Sequence, residues 1–254
     1  MLHHLARSGG TLMSRCLGCM KGMALLSEIH PQVVLNERVS LVSQARDWFR
    51  LLRPEEIARL RRSRADFATV VATIAANAEA TRRTLVIRDW SHIDFHAAPY
   101  VRTAAGTSAL RRALEPSFTL IATSTVRHPI DQWLSLRRLT TMQGAITLGQ
   151  YLQGCRVFAE YAVATGFLRY EDFTRAPDDT LRQLTTRLQV PFDPEWVTKW
   201  EAYDRITGAV SGTRGSGGIV PLPRQPHEPE LLDRCAENAD YQRTLQLLGY
   251  GHPE

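Results

Sequence analysis

The sequence predicts an α/β protein in which a central parallel sheet carries helices on both faces. Two patterns lead to this fold class. Short apolar runs alternate along the chain with longer segments whose apolar residues recur at helical spacing. The first apolar run also leads directly into a glycine turn and a helical pattern, which is the order of a strand–loop–helix unit. A chain of 254 residues can bury the core of one such domain, so we expect a single domain over residues 1–254.

Each element follows from hydrophobic periodicity and from the residues that interrupt it. Strands are predicted at 2–5, 84–89, 118–126 and 167–170. Helices are predicted at 11–20, 43–52, 54–80, 129–139, 147–164, 176–188 and 194–203, followed by two short ones. The apolar run 23–26 is expected to lead into a turn over 27–31, because Pro31 closes it. Residues 208–226 are rich in glycine and proline and show no apolar period.

Composition and charge narrow the classes of function. The net charge of +5 is modest and suits a small anionic ligand better than a nucleic acid. One cluster of arginines lies on a helical pattern and is expected to be a solvated face: Arg59, Arg61, Arg62 and Arg64. No apolar stretch reaches the roughly 20 residues that span a bilayer, and the first residues lack a signal-peptide pattern. We therefore expect a cytoplasmic protein.

The cysteines and lysines give no indication of a functional site. Cys16 and Cys19 lie about one turn apart on a predicted helix, so we expect them to be small buried packing residues rather than a redox pair. Four cysteines do not make a disulfide framework in a chain of this length. Only Lys21 and Lys199 are lysines, and all other basic residues apart from histidine are arginines. This bias is typical of a GC-rich bacterial gene.

The most informative motif is Ala-Arg-Ser-Gly-Gly-Thr-Leu at residues 6–12. It lies between a predicted strand and a predicted helix. Glycines let the backbone bend tightly around an anion, and a helix N-terminus favours negative charge. Arg7, Ser8 and Thr11 add a cation and two hydroxyls at the rim. The pattern indicates a phosphate-binding loop, and the alternative is an ordinary turn.

Two further motifs indicate anion binding. Arg127 follows a predicted strand, and Ser135 lies two turns into the helix that Pro129 begins, so the pair could hold one phosphate. The alternative is that Arg127 pairs with a nearby carboxylate and that Ser135 is simply exposed. The glycine-rich run 211–218 contains Arg214 and Gly215 and could cover a phosphate. Its alternative is a disordered surface loop.

Taken together, these motifs resemble the sulfotransferases that use 3′-phosphoadenosine 5′-phosphosulfate (PAPS). Residues 7–12 are similar to that family's 5′-phosphosulfate loop, Lys/Arg-Ser-Gly-Thr-Thr. Arg127 and Ser135 match its 3′-phosphate site in residue type and spacing. Residues 168–173, Leu-Arg-Tyr-Glu-Asp-Phe, resemble its Tyr-Glu-Asp signature, and run 211–218 falls where the family has a nucleotide lid. The resemblance covers residues 2 to about 220.

The resemblance implies a fold similar to that of P-loop proteins, with PAPS as the sulfuryl donor and PAP as the desulfated product. The implied donor-binding residues are Arg7, Ser8, Gly9, Gly10, Thr11, Leu12, Arg127, Ser135, Tyr170, Arg214 and Gly215. ATP is disfavoured as the donor because no Walker A lysine follows the glycines. No metal is expected, since the sulfuryl group carries less charge than a phosphoryl group and no close set of metal ligands is apparent.

The same resemblance implies in-line sulfuryl transfer to a hydroxyl or amine. Arg7 would neutralise charge on the leaving oxygen. Glu28 is the first candidate for the general base and His92 the second, while Asp89 would orient His92 or replace it. The structural alternatives are that Glu28 caps a helix and that His92 is an ordinary loop histidine.

Two departures from the family pattern and two other functions stay open. Arg7 stands where the cytosolic small-molecule enzymes have lysine, and Gly10 replaces a threonine, which removes one hydroxyl from the loop. The other functions are a catalytically silent protein that binds PAP or another nucleotide, and an ATP-dependent enzyme similar to P-loop kinases. The acceptor, which residues 31–80 and the loop after His92 would bind, and the oligomeric state are both left open.

Overall fold

The computed structural model describes residues 1–34, 36–208 and 218–253. Its strands are β1 (Leu2–His4), β2 (Met23–Ile29), β3 (Thr84–Asp89), β4 (Thr123–Val126) and β5 (Phe167–Arg169). They form one parallel sheet in the order β2-β3-β1-β4-β5. The predicted α/β class with a central parallel sheet is therefore confirmed.

The helices lie between and after the strands. The first seven are α1 (Gly10–Gly18), α2 (Leu41–Ser43), α3 (Pro54–Arg62), α4 (Phe67–Ala80), α5 (Ser91–His96), α6 (Ala109–Leu114) and α7 (Pro129–Leu136). The others are α8 (Leu148–Thr165), α9 (Tyr170–Arg175), α10 (Pro177–Leu188), α11 (Trp196–Lys199), α12 (Pro229–Ala236) and α13 (Ala239–Leu248). Short 3₁₀ turns lie at Glu37–Val39 and Thr140–Met142, and a π-helical turn spans Gln44–Trp48.

Alternation along the strands places helices on both faces of the sheet. Successive strand side chains point to opposite faces. Leu25 packs into a cluster with Leu17 of α1, whereas its neighbour Leu26 packs into a different cluster with Ile74 of α4. A third cluster is built around α8, which contacts β4 and is covered by α13.

The candidate site residues gather at one edge of this sheet. The carboxyl ends of parallel strands share one edge, which is where open α/β sheets bind ligands. β1 leads to Arg7, and β4 leads to Arg127. Tyr170 follows β5, while Glu28 and Asp89 lie in the last residues of β2 and β3. The fold thus brings together side chains that are far apart in sequence.

The predicted turn over 27–31 is wrong in its first half, since β2 continues to Ile29. The register against β3 shifts between Leu26 and Ile29, and Glu28 has a positive φ of 53° within this irregularity. Such a bulge re-aims a side chain at the end of a strand. The chain turns at Pro31, but the strand before it runs three residues beyond its predicted end at Leu26.

Two other predicted elements differ in length. The predicted helix 54–80 is two helices, because the chain leaves α3 after Arg62 and the Asp66 carboxylate caps α4 by accepting from the Thr69 N–H at 2.8 Å. The predicted strand 118–126 begins only at Thr123, which pairs with Leu2 at the start of β1 and so finds its first partner there. The helices α5 and α6 were not predicted.

Two expectations concern the helices themselves. Among the described helices, none is both long and apolar enough to cross a membrane.

Cys16 is buried in α1 and Cys19 is half-buried just after it, and both are free thiols. Burial raises the pKa of both thiols. Protonated, buried thiols agree with the prediction that these residues pack rather than react.

Candidate functional site

The loop between β1 and α1 has the backbone of an anion-binding site. Gly9 caps α1 with φ 85° and ψ 1°, a left-handed conformation that glycine adopts without strain. Among the described residues, no side chain caps this end of the helix, so its first N–H groups have no described side-chain acceptor. A Cβ atom at Gly9 would collide with the Tyr170 ring, and one at Gly10 would collide with the His4 ring. Only glycine lets the loop pack this closely at both positions.

Four predicted donor-site residues meet beside this loop. Arg7 Nε donates to Ser135 Oγ at 3.0 Å, and Arg127 Nη1 donates to the carbonyl oxygen of Arg7 at 3.2 Å. The Arg127 guanidinium lies over the Tyr170 ring, with Cζ 4.8 Å from the ring centroid. Within the described ranges, neither arginine forms an ion pair with a carboxylate. Two uncompensated cations beside a helix N-terminus favour a ligand with more than one negative charge.

Other predicted donor residues contribute to the loop itself. Ser8 is buried, and its hydroxyl donates to the Leu5 carbonyl oxygen at 2.8 Å. The Leu12 N–H donates to the carbonyl oxygen of Gly9, the residue that caps α1, at 3.0 Å. The hydroxyl proton of Ser8 and the N–H of Leu12 are therefore committed to loop geometry. Two predicted lid residues lie outside the described residues: Arg214 and Gly215.

A supporting network that the sequence motifs did not reveal fixes the start of α7. Glu171 Oε1 accepts from the His128 N–H at 2.9 Å, and its Oε2 accepts from the Tyr250 hydroxyl at 2.6 Å. Gln132 Nε2 donates to the Ala6 carbonyl oxygen at 2.7 Å. These bonds tie the C-terminal region and the β1–α1 loop to the turn that carries Arg127. The Glu in the Tyr-Glu-Asp run was a usable signal for this role.

Arg88 was not among the predicted site residues, yet it is the most extensively hydrogen-bonded side chain at the site. It lies on β3 and is 3% exposed. Its five N–H groups all have acceptors: His4 Nε2 at 2.7 Å, Glu28 Oε1 at 2.9 Å, Ser27 Oγ at 3.0 Å, Thr11 Oγ1 at 3.2 Å and the Thr207 carbonyl oxygen at 3.2 Å. Only one of these acceptors is a carboxylate, so Glu28 balances the buried charge of Arg88.

Glu28 reaches the candidate site through the irregular end of β2. Its side chain is 25% exposed and lines the same cavity as Arg7. Arg88 holds Oε1, and no hydrogen bond to Oε2 is present in the described part of the chain. The carboxylate of Glu28 is therefore held beside the β1–α1 loop, with its Oε1 bonded to Arg88. It does not cap a helix.

His92 also lines the cavity but is engaged on both ring nitrogens. Its Nε2 lies 2.8 Å from the Ala98 carbonyl oxygen, and its Nδ1 lies 3.1 Å from His96 Nδ1. Burial lowers the pKa of His92 to about 4, and the Ala98 carbonyl and Glu28 offset this only in part. A neutral, hydrogen-bonded imidazole with so low a pKa is a poor proton acceptor near neutral pH.

Asp89 belongs to a different network from the one predicted. Its Oδ2 lies 2.8 Å from His3 Nδ1 and accepts from the hydroxyls of Ser91 and Ser108 at 3.1 and 2.9 Å. Among the described contacts, none joins Asp89 to His92. Asp89 is 1% exposed, so its carboxylate serves the packing of β1 against β3. His92 is consequently left without an orienting carboxylate.

A cavity of about 780 Å³ opens beside the β1–α1 loop. Arg7, Glu28, Arg88 and His92 line its inner part. Its outer part is lined by the stretch around residues 31–46, the neighbouring ends of α3 and α4, and Trp90 and Tyr100 after β3. This is the region in which acceptor binding was predicted. No cluster of three or more metal-binding side chains occurs in residues 1–34, 36–208 and 218–253.

Comparisons with known proteins bear on the fold. No protein-family model matches this sequence, and no curated protein sequence matches it significantly. A solved sulfotransferase domain from the curacin biosynthetic pathway is similar over 99% of this chain and 97% of its own, with TM-score 0.62 and 20% identity. A sulfotransferase domain from the Synechococcus PCC 7002 olefin synthase is similar over 99% and 94%, with the same TM-score and identity. This chain therefore has the fold of the bacterial sulfotransferase domains.

Proposed function

We propose that this protein is a sulfotransferase that moves a sulfuryl group from PAPS to a hydroxyl or amine of an acceptor. The observation that carries the proposal is the position of Arg7 and Glu28. A cation from the phosphate-binding loop and a fixed carboxylate line one cavity, while Arg127 and Ser135 extend the cationic site away from it. This arrangement suits a donor with two separate anionic groups and an acceptor that approaches from the other side.

The charge of the site supports PAPS as the donor. The uncompensated guanidiniums of Arg7 and Arg127 would bind the 5′-phosphosulfate and the 3′-phosphate, with Ser135 between them. The left-handed turn at Gly9 brings the loop backbone to the N-terminus of α1, where N–H groups favour an anion. Tyr170 offers a ring against the loop, as the resemblance to the family implies. ATP lacks a 3′-phosphate and would leave Arg127 without its ligand.

The transfer step needs one cation and one base. The acceptor oxygen or nitrogen forms a bond to sulfur as the bond from sulfur to the bridging phosphate oxygen breaks, and that oxygen keeps the electron pair. Arg7 would stabilise the charge that grows there; as an arginine it acts electrostatically and keeps its proton. Glu28 would take the proton from the acceptor. Because all five N–H groups of Arg88 are in use, Arg88 is assigned to hold Glu28 rather than the donor.

Glu28 is preferred to His92 as the base on two grounds. It is partly exposed to the cavity, whereas His92 is 2% exposed. Both nitrogens of His92 have partners, while Oε2 of Glu28 does not among the described contacts. Asp89, the third residue considered, bonds to His3 and is assigned a structural role.

The proposal is tested by incubating the full chain with PAPS labelled at sulfur and a panel of phenols, alcohols, glycans, hydroxylated lipids, tyrosine peptides and amines. We expect PAP release and label transfer to at least one class, and loss of both in Arg7→Ala. Arg137→Ala, which changes an exposed arginine outside the cavity, serves as the control. Tight PAP binding without transfer to any acceptor would instead support the catalytically silent nucleotide-binding protein.

A further inference from the structure

The outer half of the cavity is lined largely by apolar side chains, whose contact with water is unfavourable. Half-buried apolar side chains line it on two sides, among them Val33 and Val42 on one and Phe67 and Val70 of α4 on the other. At the rim, Val34 and Val39 are 51% and 36% exposed. Large apolar side chains concentrated beside a cavity indicate a surface that a ligand covers. A ligand that filled this part of the cavity would cover these side chains with an apolar section of its own.

Beyond this apolar section, two arginines and one carboxylate line the cavity. Arg61, in the last turn of α3, is exposed and lines the outer cavity. Within the described residues its guanidinium forms no ion pair, whereas the other rim arginine, Arg46, is paired with Asp47 at 2.6 Å. The rim also contains Glu37, which forms no described ion pair with Arg61. Arg61 is exposed, whereas the side chain of Glu28 is only 25% exposed, so the two charges of the cavity lining differ in their access to solvent.

The other arginines of α3 provide a comparison for Arg61. Arg59 and Arg62 of α3, and Arg64 just after the helix, are exposed as well, and positive charge near the C-terminus of a helix is favourable in itself. That effect explains the cluster as a whole. It does not explain why one member, Arg61, is part of the cavity lining while the adjacent Arg62 is not.

We propose that the acceptor is a linear amphiphile with its hydroxyl at one end, an apolar middle and a carboxylate at the other end. Its hydroxyl lies at Glu28, its chain lies along the valines and Phe67, and its carboxylate pairs with Arg61. This inference rests on the proposed function, since Glu28 and Arg7 define the reacting end. It adds a substrate class and a specificity-determining residue.

The test combines one change in the ligand with one change in the protein. A series of ω-hydroxy fatty acids is compared with the methyl esters of the same acids, which keep the hydroxyl and the chain but lose the charge. Arg61→Glu is compared with Arg62→Glu, which makes the same change of charge one residue away. Initial rates of label transfer from PAPS at low ionic strength give kcat/KM for each pairing of a protein variant with an acid or an ester.

We expect the unaltered protein to favour the best hydroxy acid over its ester by about tenfold, which corresponds to about 1.4 kcal/mol. Arg61→Glu should abolish or reverse this preference. Arg62→Glu should retain the preference. Added salt should weaken it, because a rim ion pair is screened. Equal rates for acid and ester, or equal effects of the two substitutions, would overturn the inference.

PAP binding, measured on the same samples, separates this inference from the proposed function. If PAP binds and other acceptors of the panel are sulfated while neither acids nor esters react, the acceptor class is wrong and the proposed function stands. If PAP does not bind to the unaltered protein, the proposed function itself fails, and with it this inference.

Discussion

Replacing Glu28 by glutamine is expected to lower turnover by about two to four orders of magnitude, the usual contribution of a general base. Glutamine has nearly the same shape and can still accept a hydrogen bond from Arg88, but it cannot take the acceptor's proton. PAP binding should change little, because Glu28 contacts Arg88 and the cavity rather than Arg7 or Arg127. Steady-state rates and PAP binding isotherms measured together check both statements.

A matched control is available on the surface. Glu55→Gln also removes a carboxylate paired with an arginine, but its side chain is 67% exposed and lies outside the cavity. It should leave turnover unchanged. Unchanged turnover in Glu28→Gln, together with a large loss in His92→Gln, would reject Glu28 as the base and assign that role to the histidine.

Replacing Arg88 by methionine is expected to destabilise the fold by about 3–5 kcal/mol, the typical cost of removing one partner of a buried ion pair. The substitution leaves Glu28 without its cation and deprives four further acceptors of their donor. Urea denaturation, analysed by linear extrapolation, gives the difference in the free energy of unfolding.

Two further variants show whether the effect comes from the ion pair. Arg182→Met removes an exposed arginine paired with Asp178 at 2.7 Å, and it should cost about 1 kcal/mol or less. The double variant Arg88→Met with Glu28→Gln should be more stable than Arg88→Met alone, because it no longer leaves a carboxylate uncompensated. A double variant that is no more stable would mean that Glu28 does not balance the charge of Arg88.

Local signals in the sequence were sufficient for the donor side of the site. The order of strand, glycine loop and helix around residues 6–12 specified both the backbone and the position of Arg7, because these interactions lie within a short segment. Arg127 and Ser135 could be paired because they flank one strand–helix junction. In the described contacts, Arg7 joins the two: its Nε donates to Ser135 Oγ and its carbonyl oxygen accepts from Arg127 Nη1. That Arg127 and Ser135 hold one phosphate stays a prediction.

The interactions around the candidate base could not be predicted in the same way. Arg88 bonds to residues from β1, α1, β2 and the segment near Thr207, so no local pattern reveals it. Pro31 suggested a turn, while pairing with β3 extends the strand through Glu28. Asp89 and His92 are close in sequence, yet the sheet pairs the aspartate with His3. Tertiary pairing decides the chemistry at these positions.

Thermal stabilisation of the full chain by PAP, measured beside ATP and 5′-AMP, is the most direct test of the donor site. A ligand that binds only the folded state adds about 2.7 kcal/mol at a hundredfold excess over its Kd, which raises Tm by several degrees. We expect this increase with PAP, a smaller one with ATP and 5′-AMP, and its loss in Arg127→Ala but not in Arg137→Ala. No increase with PAP, or a larger one with ATP, would contradict the assignment of a PAPS-dependent sulfotransferase.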